Sequence, residues 1–89
     1  LAEICDAVGG ELDVICDGGI TRGSHVLKAL SVGAKACSGG RLYLYALAAA
    51  GQEGVERILS LLQNEIERDM KLMGVTAVDQ LNRDNLRYR

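Results

Sequence analysis

The stretch Asp13-Val14-Ile15-Cys16-Asp17-Gly18-Gly19-Ile20-Thr21-Arg22-Gly23 begins as an apolar run of strand length and ends in a glycine-rich turn. Asp13–Cys16 is expected to be a short strand and Asp17–Gly23 the loop that leaves it. The same order then returns. Ala34–Cys37 reads as a second strand, weak by propensity because of its alanines and lysine, and Ser38-Gly39-Gly40-Arg41 as the next turn. Between the two, Ser24 is placed to cap a helix running through Val26, Leu27 and Leu30, with Gly33 as its stop. A strand, loop, helix, strand, loop rhythm predicts the α/β class, with a parallel sheet and crossover helices.

Outward from this stretch the chain is helical. Leu1, Ile4, Cys5 and Val8 recur at helical spacing, so a helix is expected over Ala2–Val8, closed by Gly9-Gly10 as a C-terminal glycine pair. Downstream, Leu42–Ala50 reads as a short apolar helix ended by Gly51. The longest element is expected over Gln52–Met73, where Val55, Ile58, Leu59, Leu62, Ile66, Met70 and Met73 mark one face and Glu56, Gln63, Glu67 and Lys71 the other. Gly74 should close it. Thr76-Ala77-Val78-Asp79 resembles a capping box opening a final turn, and the charged tail Asn82–Arg89 is expected to be loose.

With 89 residues the chain holds one domain at most. It is 48% hydrophobic and 25% charged, a globular rather than a disordered composition. Ten Lys and Arg against twelve Asp and Glu leave a formal charge of −2, so there is no basic excess to hold a nucleic-acid backbone. No apolar run approaches the roughly 20 residues of a membrane helix. The absence of Pro, Trp and Phe favours helices and small-residue packing over an all-β fold. Opening at Leu1, inside a helical pattern, the chain reads as a piece of something longer. Cys5, Cys16 and Cys37 are odd in number and lack CxxC spacing, so buried, reduced thiols and a cytoplasmic setting are expected, with no metal site.

The chemistry is expected at the two glycine turns, which follow consecutive strands at their carboxyl ends, where α/β sheets place ligands. Glycine lets backbone N–H groups approach an anion, and Arg41 adds a cationic fork suited to phosphate oxygens. A phosphate-bearing ligand and plain tight turns both fit this pattern. His25 is expected to face solvent at a helix start rather than to act as a base. Tyr43 and Tyr45 are expected to pack on different sides of their helix. Glu65, Glu67, Arg68 and Asp69 read as a solvated face with local pairing, and Lys28 and Lys35 as surface stems.

Four motifs carry a resemblance: D-G-G-I-x-R-G-x-x-V-x-K-A-L-x-x-G-A from Asp17, G-R-x-x-L-Y-A-L-A-A-x-G from Gly40, G-V-x-x-I-L-x-L-L-x-x-E-I from Gly54, and M-x-L-x-G-V from Met70. Over Asp13–Leu81 the chain resembles the C-terminal portion of the FMN-dependent L-2-hydroxy acid dehydrogenases and oxidases, the family of glycolate oxidase, L-lactate dehydrogenase and mandelate dehydrogenase. The resemblance implies that residues 1–89 are the last two βα units, strands seven and eight, of a (β/α)8 TIM barrel. It implies FMN as cofactor, with Asp17, Gly18 and Gly19 along the ribityl phosphate and Gly40 with Arg41 at the phosphate. Thr21 stands where the family carries an arginine that helps grip the phosphate, and Ser38-Gly39 replaces the usual apolar residues. The family's histidine base and substrate-binding arginine come from the loop after strand six and have no match here. The fragment alone is therefore expected to be inactive.

The parent would oxidise a small L-2-hydroxy acid to the 2-oxo acid by hydride transfer to FMN. Two rivals stand beside that reading: a fragment of the FMN-dependent isopentenyl diphosphate isomerase, against which Asp17 counts, and a truncated, non-catalytic interaction module. No nucleic-acid partner and no membrane span are expected. Self-association is, because two parallel strands leave both sheet edges open.

Overall fold

A computed structural model describes residues 1–88. The order of elements is α1 (Ala2–Val8), β1 (Ile15–Asp17), α2 (Gly23–Val32), β2 (Ala36–Ser38) and α3 (Gly40–Met73), followed by single 3-10 turns at Val78–Gln80 and Arg83–Asn85. β1 and β2 pair in parallel with Ile15 opposite Ala36, Cys16 opposite Cys37 and Asp17 opposite Ser38. The expected class and helix order hold. Both strands start two residues and end one residue downstream of their expected spans, and for the second strand the reason is local. The Ala34 N–H donates to the Ala29 carbonyl at 3.1 Å, and the Gly33 N–H to that of Leu30. Ala34 thus belongs to the terminus of α2, and the ladder begins only where the Lys35 N–H reaches the Val14 carbonyl at 2.7 Å.

α3 is two helices joined at Ala50–Gly51. Gly51, at φ 60° and ψ −140°, occupies a region open only to glycine, so the expected stop after Ala50 is where the chain turns. Of the expected apolar stripe in the second half, Val55, Ile58, Leu62, Ile66 and Met70 are half-buried, whereas Leu59 and Met73 are exposed, and no residue of α3 is fully buried. Gly74, at φ 77°, closes it with bonds from the Gly74 N–H to Lys71 and from the Val75 N–H to Met70, a complete Schellman arrangement.

Four local expectations are corrected. Gly9 is right-handed at φ −62°, and Glu11 and Leu12 donate to the Val8 carbonyl, so the Gly9-Gly10 pair prolongs the turn instead of breaking it. The α2 N-cap is Arg22 rather than Ser24. At Thr76 the Gln80 side chain accepts the Thr76 N–H at 2.8 Å, and the capping box sits one turn later, between Asn82 and Asn85. The tail is not loose over its described part. The Arg83 guanidinium donates to Asp6 at 2.6 Å and to the Val32 carbonyl at 3.3 Å, tying the C-terminus to α1 and α2. Arg89 lies outside the described residues.

The core is small: Ile20, Leu27, Ala29, Ala34 and Leu81 are buried, against exposed Leu12, Ile15, Leu44, Leu47, Leu59 and Leu72. The surface is 6517 Å², where a complete domain of 9.5 kDa exposes about 5,000 Å². The Cα radius of gyration is 14.0 Å, against about 12 Å for a compact domain of this length. Both sheet edges are bare, since the sheet has two strands. Among the described residues no helix is long and apolar enough to cross a membrane.

Candidate functional site

Asp17 ends β1, and Gly18 and Gly19 follow with φ of 94° and 74°, a left-handed pair that turns the backbone across the top of the sheet. Ser38 ends β2, and Gly39 leads into α3 with no side chain capping its first turn. The two loops face each other across a concavity of about 580 Å³ lined by Asp17, Gly18, Gly19, Ile20, Thr21, Gly39, Gly40, Arg41, Leu44 and Tyr45. All six residues singled out from sequence, Asp17, Gly18, Gly19, Thr21, Gly40 and Arg41, lie in this one hollow.

The glycines matter for space as well as backbone angle. A Cβ at Gly18, Gly19 or Gly40 would meet no neighbouring atom within 4 Å, so the space beside these three lining residues is open. The first turn of α3 brings uncapped N–H groups and the positive end of a helix dipole to the same place. Among the described residues, neither Arg41 nor Asp17 has an ion-pair partner. The hollow therefore offers a cation, a carboxylate able to accept from hydroxyls, and backbone donors. These suit a ligand with a phosphate at one end and hydroxyls beside it.

Position 22 is used otherwise. The Arg22 Nε donates to the Glu65 carboxylate at 2.8 and 3.2 Å, and the same carboxylate accepts the Gly23 N–H at 2.8 Å. That backbone bond is the main cause holding the Glu65 carboxyl below its usual range, with Arg22 adding to it. Glu65, expected in a solvated cluster of local pairs, instead caps α2 from a distance. Among the described residues, Arg41 is the one arginine that lines the hollow.

His25 does not simply face solvent. It is half-buried, and its Nδ1 accepts the Thr21 N–H at 3.2 Å, with the Thr21 hydroxyl 3.4 Å away. The ring thus shapes the loop and, among the described residues, has no carboxylate partner to make it a base. Tyr43 and Tyr45 do not pack; they are 47% and 69% exposed, and Tyr45 joins Leu44 on the wall of the hollow. Leu44 was not marked in the sequence and Tyr45 was expected to pack, since an apolar helix pattern gives no sign of which side a ligand takes. The three cysteines are free, as expected, but half-buried rather than fully buried.

Compared with known proteins, residues 1–88 match the family described as FMN-dependent dehydrogenase. A peroxisomal (S)-2-hydroxyacid oxidase of Arabidopsis thaliana is 42% identical over 98% of this chain and 24% of its own length. The L-lactate dehydrogenase (cytochrome) of Saccharomyces cerevisiae is 47% identical over 85% of this chain and 13% of its own. Among solved structures, a soluble mutant of (S)-mandelate dehydrogenase from Pseudomonas putida superposes with a TM-score of 0.92 at 38% identity, covering 99% of this chain and 25% of that one. The chain spans about a quarter of the length of most of the relatives it matches.

Proposed function

The chain belongs to the FMN-dependent dehydrogenase family, and from that premise we propose that it is the FMN-phosphate-binding part of an enzyme that oxidises a 2-hydroxy acid to the 2-oxo acid. Its two βα units would be the seventh and eighth of a (β/α)8 barrel. FMN is the cofactor of the family, and the residues here fit it. The open space beside Gly18, Gly19 and Gly40, with Arg41 at its edge, is the observation that carries the reading.

In this reading the Arg41 guanidinium and the N–H groups at the start of α3 hold the phosphate, and the Gly18-Gly19 turn lies along the chain that leads from it. The Asp17 carboxylate accepts from ligand hydroxyls. Thr21 offers a hydroxyl where the family carries an arginine, so Arg41 bears the charge alone. When bound, FMN supplies the acceptor for a hydride. This chain's own residues bind and orient; none is placed to move the substrate proton, because His25 is engaged with Thr21. The relatives named above act on hydroxy acids, which favours this reading over isopentenyl diphosphate isomerisation. Three free cysteines support a reducing compartment such as the cytoplasm.

Calorimetric titration with FMN and with riboflavin tests the assignment, since the two differ by the phosphate. FMN should bind at least tenfold more tightly, about 1.4 kcal/mol. Equal affinities would remove the phosphate site.

A further inference from the structure

Outside this hollow, the cluster with the most distinct chemistry is a pair of thiols. Cys16 and Cys37 occupy the central positions of β1 and β2 and stand directly opposite each other in the parallel register. Paired residues of parallel strands project to the same face, and neighbouring strands lie about 4.8 Å apart. The register makes the two thiols neighbours, and both are free and half-buried, within reach of a small reagent. The flanking positions Ile15, Asp17, Ala36 and Ser38 are exposed on the opposite side of the pleat.

We propose that Cys16 and Cys37 form a dithiol site for a trivalent organoarsenical. The ligand set selects this chemistry. Among the described residues there is no group of three or more His, Cys, Asp or Glu able to hold a metal ion, so a four-coordinate zinc lacks its complement. A mono-organo arsenic(III) centre needs only two thiols, and soft sulfur ligands suit it. The step balances without redox change. Each thiol forms one S–As bond to the oxide R–As=O, the As–O linkage is lost, both thiol protons leave with the oxygen as water, and arsenic stays trivalent. Burial and the neighbouring Cys16 hold the Cys37 thiol above its ordinary value. That shift accords with two sulfurs close enough to feel each other and keeps Cys37 as a thiol at neutral pH. The bridge would form one residue before Asp17, tying together the strands that carry both loops of the hollow. The inference does not depend on what the hollow binds.

The probe is phenylarsine oxide, added to the reduced chain and read by intact mass and peptide mapping. One phenylarsenic adduct per chain is expected, joining the peptides that hold Cys16 and Cys37 and shielding both from alkylation while Cys5 still reacts. Cys5→Ala should keep the adduct; Cys16→Ala and Cys37→Ala should each lose it. A dithiol such as 2,3-dimercaptopropanol should remove arsenic at a concentration at least a hundredfold below that of 2-mercaptoethanol. No adduct on the unsubstituted chain, a bridge mapped to Cys5, or equal displacement by the two reagents would overturn the proposal. The mapping on unsubstituted protein decides the matter even if an alanine variant fails to fold.

Discussion

Glu65 on α3 reaches back 42 residues to accept the Gly23 N–H at 2.8 Å while holding Arg22 at the same distance. One carboxylate thereby satisfies an orphan donor at the start of α2 and fixes the end of the loop that lines the hollow. Glu65→Ala should lower the melting temperature more than Glu65→Gln, because the amide keeps an oxygen for Gly23. The sign with pH follows from the lowered Glu65 carboxyl. Its contribution is fully present above the unfolded carboxylate range and is lost as pH falls through the lower, folded value. Thermal melts between neutral and acid pH should show this loss in the unsubstituted chain and little of it in Glu65→Gln. An identical acid profile in both would contradict the assignment.

At Gly23 the start of α2 lies tightly against α3. A Cβ there would lie 2.6 Å from the Glu65 Cβ and 2.8 Å from the Ile66 nitrogen, so backbone must move. Gly23→Ala is expected to destabilise by about 1–3 kcal/mol, measured by urea unfolding of the same preparation. A neutral result would show that the helices can part at no cost.

Self-association is expected of the isolated chain. The excess of exposed surface over a complete domain, the bare edges of a two-stranded sheet and exposed Leu12, Ile15, Leu44 and Leu47 all present apolar or unpaired groups to water. Sedimentation equilibrium at tens of micromolar should give species heavier than 9.5 kDa. A compact monomer with a sharp unfolding transition would contradict this.

Much of this architecture is legible from period and punctuation. The strand–glycine–helix rhythm placed the parallel pair, and Gly51 and Gly74 ended their helices because a positive φ leaves few other residues able to do so. The hollow was legible for the same reason: glycine after a strand is a local signal. What escaped were contacts between residues far apart in sequence. The Glu65 cap spans 42 residues and the Arg83–Asp6 tie spans 77, so neither leaves a trace in local spacing. The second strand started late for a local reason: the Ala34 N–H is taken by the Ala29 carbonyl at the end of α2, and alanine and lysine express too little strand propensity to compete.

The 89-residue chain should not oxidise L-lactate, L-mandelate or glycolate on its own. His25 is engaged with the Thr21 N–H, and the histidine base that the resemblance implies has no match in this chain, a deficit of orders of magnitude in rate. Dye reduction with added FMN should stay at the blank. Hydroxy-acid-dependent reduction abolished by Arg41→Ala would overturn this.

Flavin retention in the enzyme containing this chain tests the central claim most directly, with Arg41→Ala and Thr21→Ala compared after gel filtration. Removing a charge-assisted fork to phosphate costs about 1.5–3 kcal/mol, and removing a neutral hydroxyl bond about 0.5–1.5. Arg41→Ala should therefore weaken FMN by roughly ten- to a hundredfold and elute largely as apoprotein, while Thr21→Ala keeps most of its flavin. Equal retention in the two variants would contradict the account of Arg41 as the cation that holds the phosphate.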